Sequence, residues 1–449
     1  MGLSYRYKIL LIAALGLISS GIFVLFLGTS ALGPDATQYD RLGYNLASGC
    51  GFSLSESGPF LPTMYREPVY PFFLAAFYGI FGHDLNVVLF IQMIMHALTA
   101  LITFYLAKEA FSEKTAFYSA VIVAIFPTLA NTSAYILSET LFTFNLYLGI
   151  YVYSVGLKTG KVLPYLAAGA LFGILALTKA IALFLPIFLA AAALCIGAAK
   201  KLVSKRLLFN ILSFLAVFAL TVSPWSVRNK ALFNTYSLTV RSGEVLWSRA
   251  AKLDYPLKKA LADACYNFSE FLGNKFFPDP GVRPERYLYR DLDRAEALRA
   301  SYRKEGLTEP QADAIIKKEA MAKISKHPFK YLSYGFVEAI KMTAFTYLPL
   351  LNEPRVSCYF DSIRNGHLIA AALKGIFRLV ALPLLFLFIL GVLKNFGIWD
   401  RWLLMFTVVF YFNAICSLLD ALGRYGIPLI PLYCIFAAAA FNSNRRISA

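Results

Sequence analysis

"ALGPDATQYDRLGYNLASGCGF", residues 31–52, follows directly on an apolar run that carries no charge from Ile9 to Leu32. A run of that length satisfies the ~20 residues that one helical membrane crossing needs. The quoted stretch therefore begins where the chain leaves a bilayer. A connecting loop requires polarity, yet this one sets Asp35, Tyr39 and Asp40 among glycines, tyrosines and a proline within a few residues of the surface. Charged side chains at membrane depth cost about 2.5–3.5 kcal/mol each on insertion scales, so acids kept beside a bilayer point to function.

The rest of the chain supports a membrane reading. Of 449 residues, 58% are hydrophobic and only 15% charged, with a mean hydropathy of +0.60. A soluble protein carries nearer 25% charged residues. The apolar runs are continuous, which excludes a membrane barrel with its short alternating segments. The first segment, about 9 to 30, is long for a cleaved leader and lacks a small-x-small site, so it reads as a retained helix. The net charge of +17 is scattered over the loops. With no aromatic-interleaved basic domain, a nucleic-acid partner is excluded, and anionic lipid headgroups or a phosphate-bearing substrate suit the charge better. Six cysteines form no CxxC and no metal-ligand spacing with the four histidines. Cys195, Cys416 and Cys434 fall in predicted helices as small packing residues, and any disulfide among Cys50, Cys265 and Cys358 stays undecided.

Positive-inside bias orients the spans. Arg6 and Lys8 place the N-terminus inside, so the quoted stretch faces outward. Segment 85–107 returns to Lys108 and Lys114, 115–134 goes out, and 138–156 comes back to Lys158 and Lys161. Residues 162–198 read as two helices meeting outside at Lys179, followed by a cytoplasmic cluster at Lys200, Lys201, Lys205 and Arg206. Helix 207–225 crosses outward. Spans at 368–393, 402–420 and 426–441 finish the chain. The expected fold is an all-α polytopic membrane protein with about ten crossings, within a range of about 8–12. Its expected parts are an N-terminal membrane module 1–225 with an outer loop 33–84, an extracytoplasmic helical domain 226–366 and C-terminal membrane helices 367–449. The segment at 331–351, with Glu338 and Lys341 in its middle, reads as an interfacial or re-entrant helix.

This topology collects the unusual residues on the outer face. They are Asp35, Tyr39 and Asp40; "MYREPVYPFF" with Tyr65, Arg66, Glu67 and Tyr70; and "NTSAYILSETLF" with Glu139. Lys179 sits in the next outer turn, "SPWSVRN" brings Trp225, Arg228 and Asn229, and "LDALGRYGIPLIP" adds Asp420, Arg424 and Tyr425. The order DAxxYxxLxxNLxxGxGF, RxPxYPxFLA, SE at a helix start, PWxxRN and RYxxPxxP resembles the GT-C superfamily of membrane glycosyltransferases. It is most similar to the family-39 and aminoarabinose-transferase type, related to protein O-mannosyltransferases. The resemblance runs from residue 1 to about 240 and resumes at the RY motif; in the middle domain only "HPFKYL" looks family-like. It implies an inverting glycosyltransferase that takes a sugar from a polyprenyl-phosphate donor to a glycan, lipid or protein acceptor. It further implies an outward-facing site in a bacterial inner membrane. Asp35 matches the catalytic acid and Arg66 the phosphate-contacting residue, with Arg228 assigned to the same phosphate. Tyr39, Glu67, Tyr70, Glu139, Lys179, Asn229, Arg424 and Tyr425 are the expected supporting or substrate-binding residues. A divalent metal serves some branches and not others, and no HxxxH or DxD pattern decides it here.

The chemistry fits those residue types. A polyprenyl phosphate departs as a stable anion, so no general acid is needed, whereas the attacking hydroxyl or amine must lose a proton to a base. Arginine's planar fork suits the phosphate. Inversion follows, because a second nucleophilic carboxylate close to the first would be required for retention. Each residue also has a plainer reading. Asp35 and Gln38 have capping-box spacing at a helix start; Asp40 pairs with Arg41; Arg66 and Glu67 form an interfacial ion pair; Glu139 caps the fourth helix; Arg228 and Asn229 anchor a helix end. Lys179 snorkels, Arg424 bridges to Asp420, and His96 is a hydrogen-bonded packing residue. A transporter or carrier-lipid flippase is the alternative function, but it predicts inverted repeats and broken helices near the midplane. A non-catalytic scaffold for envelope glycan assembly is a third.

Overall fold

The computed structural model describes residues 4–27, 33–268, 270–279, 290–343, 383–419 and 423–441. In the membrane module the helices are α1 (Tyr5–Leu27), α2 (Pro34–Ala47), α3 (Val69–Phe81), α4 (Leu85–Ala110) and α5 (Glu113–Ile125). They continue with α6 (Pro127–Thr132), α7 (Glu139–Thr159), α8 (Val162–Thr178), α9 (Leu185–Ala199) and α10 (Lys205–Phe233). The polar region forms α11 (Ser242–Ala251), α12 (Leu257–Phe268), α13 (Glu270–Phe276), α14 (Arg290–Lys304), α15 (Glu309–Lys326) and α16 (Pro328–Thr343). The chain then continues with α17 (Pro383–Lys394), α18 (Trp399–Leu418) and α19 (Ile430–Ala440). Among the described residues the sole β feature is an isolated bridge between Ser53 and Pro62.

Among the described residues six helical stretches are long and apolar enough to cross a membrane: within α1, α4, α7, Ala180–Ala199, α10 and Phe396–Leu418. Four shorter apolar helices, α3, α8, α17 and Arg424–Ala440, accompany them. These elements differ in places from the expected spans. The expected outer loop 33–84 contains two helices, α2 and the apolar α3. The expected span 115–134 is broken at Phe126, because Pro127 cannot donate to the preceding turn and disfavours helical backbone at the residue before it. Residues 162–198 do split beside Lys179, as expected. The boundary at 225 does not hold, because α10 runs on to Phe233 with Pro224 inside it. The segment expected at 331–351 as an interfacial or re-entrant helix overlaps α16, whose Glu338 pairs with Lys252 at 3.2 Å. Its later part, residues 367–382, Cys358 and Asp420 lie outside the described residues. Cys50 and Cys265 are both free, Cys195 is exposed, and Cys416 and Cys434 are buried as packing residues. His96 is buried with Nε2 at 3.0 Å from the Ala124 carbonyl.

One end of the bundle carries the ion pairs Lys8–Glu113 (2.7 Å), Lys158–Glu109 (2.8 Å) and Lys200–Asp400 (3.0 Å). The opposite end carries α2, the loop before α3, the start of α7, the α8–α9 turn and the end of α10. That end holds the unusual residues. The helices of the polar region are fastened to it by Glu309, whose carboxylate accepts from the Thr63 hydroxyl at 3.1 Å and the Met64 amide at 3.2 Å. Arg249, fully buried, donates to the Tyr331 carbonyl at 3.0 Å and to that of Ser417, near the end of α18, at 3.5 Å.

In lipid, helices approach closely where small residues face a neighbour. The sequence GALFG at 169–173 does this for α8 against α10. A Cβ on Gly169 would lie 2.5 Å from the Phe214 carbonyl oxygen, and one on Gly173 would lie 2.5 Å from the Thr221 Cβ. The close approach lets Phe214 reach Tyr153 and Phe172, with ring centroids 4.7 and 5.8 Å away. Gly169→Ala is expected to lower stability by about 1–3 kcal/mol, since the collision is with backbone and not a movable side chain. Thermal unfolding in nanodiscs, compared with the exposed-site control Gly79→Ala, checks this.

Candidate functional site

Gly33 is the N-cap of α2 and Pro34 its first residue, so Asp35 lies inside the first turn and makes no cap bond. The capping-box expectation for Asp35 and Gln38 is overturned. Gln38 instead accepts from Arg66 Nε at 2.8 Å, and Asp35 Oδ1 is paired with Arg66 Nη2. The second oxygen, Oδ2, is held by Arg424 Nη1 at 2.6 Å. Two guanidiniums from distant loops thus grip one carboxylate. Burial works to raise the Asp35 carboxyl, but Arg424 and Arg66, with Arg241 behind them, outweigh it and hold it well below the usual carboxylate range.

The rings beneath fix this pair in place. Tyr39, one turn after Asp35 on the same face, lies 5.0 Å from the Arg66 guanidinium and meets Tyr70 edge-on at 4.9 Å. Its hydroxyl is 3.4 Å from Ser138 Oγ, and burial pushes that hydroxyl up to about 12. Tyr70 donates to Gln92 Oε1 at 2.9 Å, and Gln92 donates to the carbonyls of Ser133 and Tyr135. These bonds tie α2 and α3 to the chain just before α7.

Glu139 opens α7, but the cap position belongs to Ser138 and shows no side-chain cap bond. Glu139 is buried and pairs with Lys179 at 2.8 Å, while Arg424 Nε stands 3.9 Å away. Lys179 therefore turns inward and does not snorkel; it lies 5.7 Å from the Tyr425 ring. Arg424 sits between two acids, Asp35 and Glu139. Glu67 does not orient an arginine: its carboxylate accepts from the Ala180 amide at 3.1 Å and so steadies the turn after Lys179. Asp40 is not paired with Arg41 but lies 2.7 Å from both the Tyr78 hydroxyl and His83 Nε2, whereas Arg41 reaches Glu56 at 3.1 Å.

Arg228 and Asn229 stand inside α10, not beyond it. Arg228 Nη1 donates to the Thr63 carbonyl at 2.9 Å and to Asn229 Oδ1 at 2.8 Å, and its guanidinium stacks 4.4 Å from the Trp225 ring. Asn229 donates to the Ser237 carbonyl at 2.8 Å. This pair buckles the outer loop to α10. The guanidiniums that pair with Asp35 are those of Arg66 and Arg424, while Arg228 is engaged by the Thr63 carbonyl and Asn229.

Arg241 has no counterpart among the sequence motifs. Burial works to lower its guanidinium, but Tyr65, Asp35, Tyr425 and Glu244 outweigh it and keep it firmly protonated. Glu244, fully buried, lies 2.5 Å from Arg299 Nε and 3.6 Å from Arg241 Nε. Arg241 and Arg299 both lie over Tyr65, at 5.2 and 4.0 Å. The polar region thus adds a third guanidinium to the field at Asp35. A basic residue soon after PWxxRN was the sole signal for it. Among the described residues no three His, Cys, Asp or Glu side chains gather to hold a metal ion.

Fold and site together define the class: a polytopic helical membrane protein with a charged site at one end of its bundle. Residues 62–227 match the family model for dolichyl-phosphate-mannose-protein mannosyltransferases, a segment that includes Arg66, Glu67, Tyr70, Glu139 and Lys179. The chain is similar to the archaeal oligosaccharyltransferase AglB from Archaeoglobus fulgidus, solved with an inhibitory peptide and a dolichol-phosphate. Identity is 14%, coverage 97% of this chain and 50% of that one, and the TM-score 0.53. This chain therefore spans about half the length of that enzyme. Similarity also extends to ArnT from Cupriavidus metallidurans bound to undecaprenyl phosphate, at 13% identity over 98% of this chain and 78% of that one, with a TM-score of 0.41. No curated protein matches the chain.

A depressed carboxyl stabilises the fold above its unfolded-state value of about 3.9 and loses that contribution as pH falls through the folded value. The difference in unfolding midpoint between wild type and Asp35→Asn is therefore expected to stay level from pH 8 to about 4 and to shrink only below that. Scanning both proteins in nanodiscs across this range tests it; a difference that fades between pH 7 and 5 contradicts the two-arginine grip.

Proposed function

We propose that this chain is an inverting glycosyltransferase that moves a sugar from a polyprenyl-phosphate donor to an envelope glycan, lipid or protein at the extracytoplasmic face of a bacterial inner membrane. The observation that carries this reading is the Asp35 carboxylate set between Arg66 and Arg424 at one end of an apolar bundle. The AglB structure holds a dolichol-phosphate, which supports a lipid-linked phosphate as the ligand class. Arg66 and Arg424 supply cations for the donor phosphate, and Arg424 takes the place first given to Arg228. Asp35 accepts the acceptor's proton as the acceptor oxygen or nitrogen attacks the anomeric carbon. The bond from that carbon to the phosphate oxygen breaks, and its electron pair leaves with the polyprenyl phosphate. Glu139 and Lys179 hold Arg424 in place, and Tyr39 and Tyr70 hold Arg66.

Asp35→Asn is expected to bind donor no more weakly than wild type and to lower transfer by at least about 10²-fold, the scale of general-base catalysis. Arg66→Ala is expected chiefly to raise KM for the donor. Both are read in nanodiscs with a synthetic polyprenyl-phosphate hexose or pentose, after mass analysis of envelope glycolipids and glycoproteins with and without the gene product shows which sugar is lost. Transfer at the wild-type rate by Asp35→Asn would remove the base assignment, and an unchanged glycan profile would remove the function.

A further inference from the structure

A base gripped by two guanidiniums is a poor base. Both Asp35 oxygens are engaged, Oδ1 by Arg66 and Oδ2 by Arg424, and each keeps a lone pair whose basicity the adjoining guanidinium lowers. The partners are deeply placed, at 3% side-chain exposure for Arg66 and 12% for Arg424, against 24% for Asp35. An anion arriving from outside therefore reaches the guanidiniums along the carboxylate they hold. A phosphate and a carboxylate compete for the same planar fork of donors. Arg424 also has a second acid at hand, since Glu139 Oε1 lies 3.9 Å from its Nε and is itself anchored by Lys179 at 2.8 Å. Arg424 can thus turn from Asp35 without becoming an unpaired buried charge, which would be costly.

Resting on the function proposed above, we infer that Asp35 is a latent base, released for catalysis when the donor phosphate takes over Arg66 and Arg424. Donor then binds before a productive acceptor, and an acceptor bound alone meets a carboxylate that two guanidiniums keep weakly basic. The same pairs reset the site. After transfer Asp35 holds the acceptor's proton and the carrier leaves as a phosphomonoester. Arg66 and Arg424 then close again on Asp35, and the proton passes to water. Glu139 is a positioning residue for Arg424 in both states.

The test measures binding of a polyprenyl monophosphate to the full chain in nanodiscs, with the parent polyprenol as the uncharged control. If Asp35 competes with phosphate, Asp35→Asn binds the carrier at least about tenfold more tightly than wild type, while Asp35→Glu stays near the wild-type affinity. Equal or weaker binding by Asp35→Asn overturns the inference while leaving sugar transfer by wild type intact. Failure of both proteins to prefer the phosphate over polyprenol removes the functional reading and the inference together. A second arm needs no variant. Isotope trapping on wild type is expected to show that pre-bound donor, but not pre-bound acceptor, is carried through to product. Trapping of acceptor first overturns the release mechanism.

Discussion

The structure turns on one carboxylate shared between two arginines. Asp35 comes from the first turn after the first membrane helix, Arg66 from the loop before α3, and Arg424 from the turn before the last described helix. Opposite charges of this kind cannot be left unpaired where the chain is half-buried, because an orphaned ion costs several kcal/mol. The pair therefore fixes three distant segments in one register. Tyr39, Tyr70 and Gln92 continue the constraint downward, and Glu139 with Lys179 extends it sideways to the turn between α8 and α9.

The helices of the polar region share in this arrangement. Glu309 holds the backbone at Met64, immediately before Tyr65 and Arg66, and Glu244 holds Arg241 and Arg299 over Tyr65. Arg228, at the end of α10, grips the Thr63 carbonyl from the membrane side. The segment 63–66 is thus fastened from both sides, which keeps Arg66 where Asp35 needs it.

Much of the architecture was legible from the chain itself. Lipid imposes a simple code, since backbone polar groups must be satisfied within each crossing and charges must stay at the ends. Hydropathy and the Lys and Arg bias accordingly located α1, α4, α7 and the divided segment at Lys179. The same code says little about short elements at the surface. An apolar α3 of 13 residues inside an outer loop, and the break at Pro127, fall below the length at which hydropathy is decisive.

The sequence by itself determined that this is a multi-spanning helical protein with acids and cations gathered on one face, because membrane solvation constrains each residue separately. It also singled out Asp35, Arg66, Glu139, Lys179 and Arg424 as chemically unusual. Which of them touch was decided only by tertiary packing. Arg228 and Arg424 look alike in the chain, each an arginine just beyond or at the end of an apolar run. Their roles diverge because α10 continues through Arg228 and turns its guanidinium to Thr63, while the turn at Arg424 faces Asp35. Arg241 had no pattern at all and acquired its place from Glu244 and Tyr65, contacts between elements that sequence spacing cannot encode.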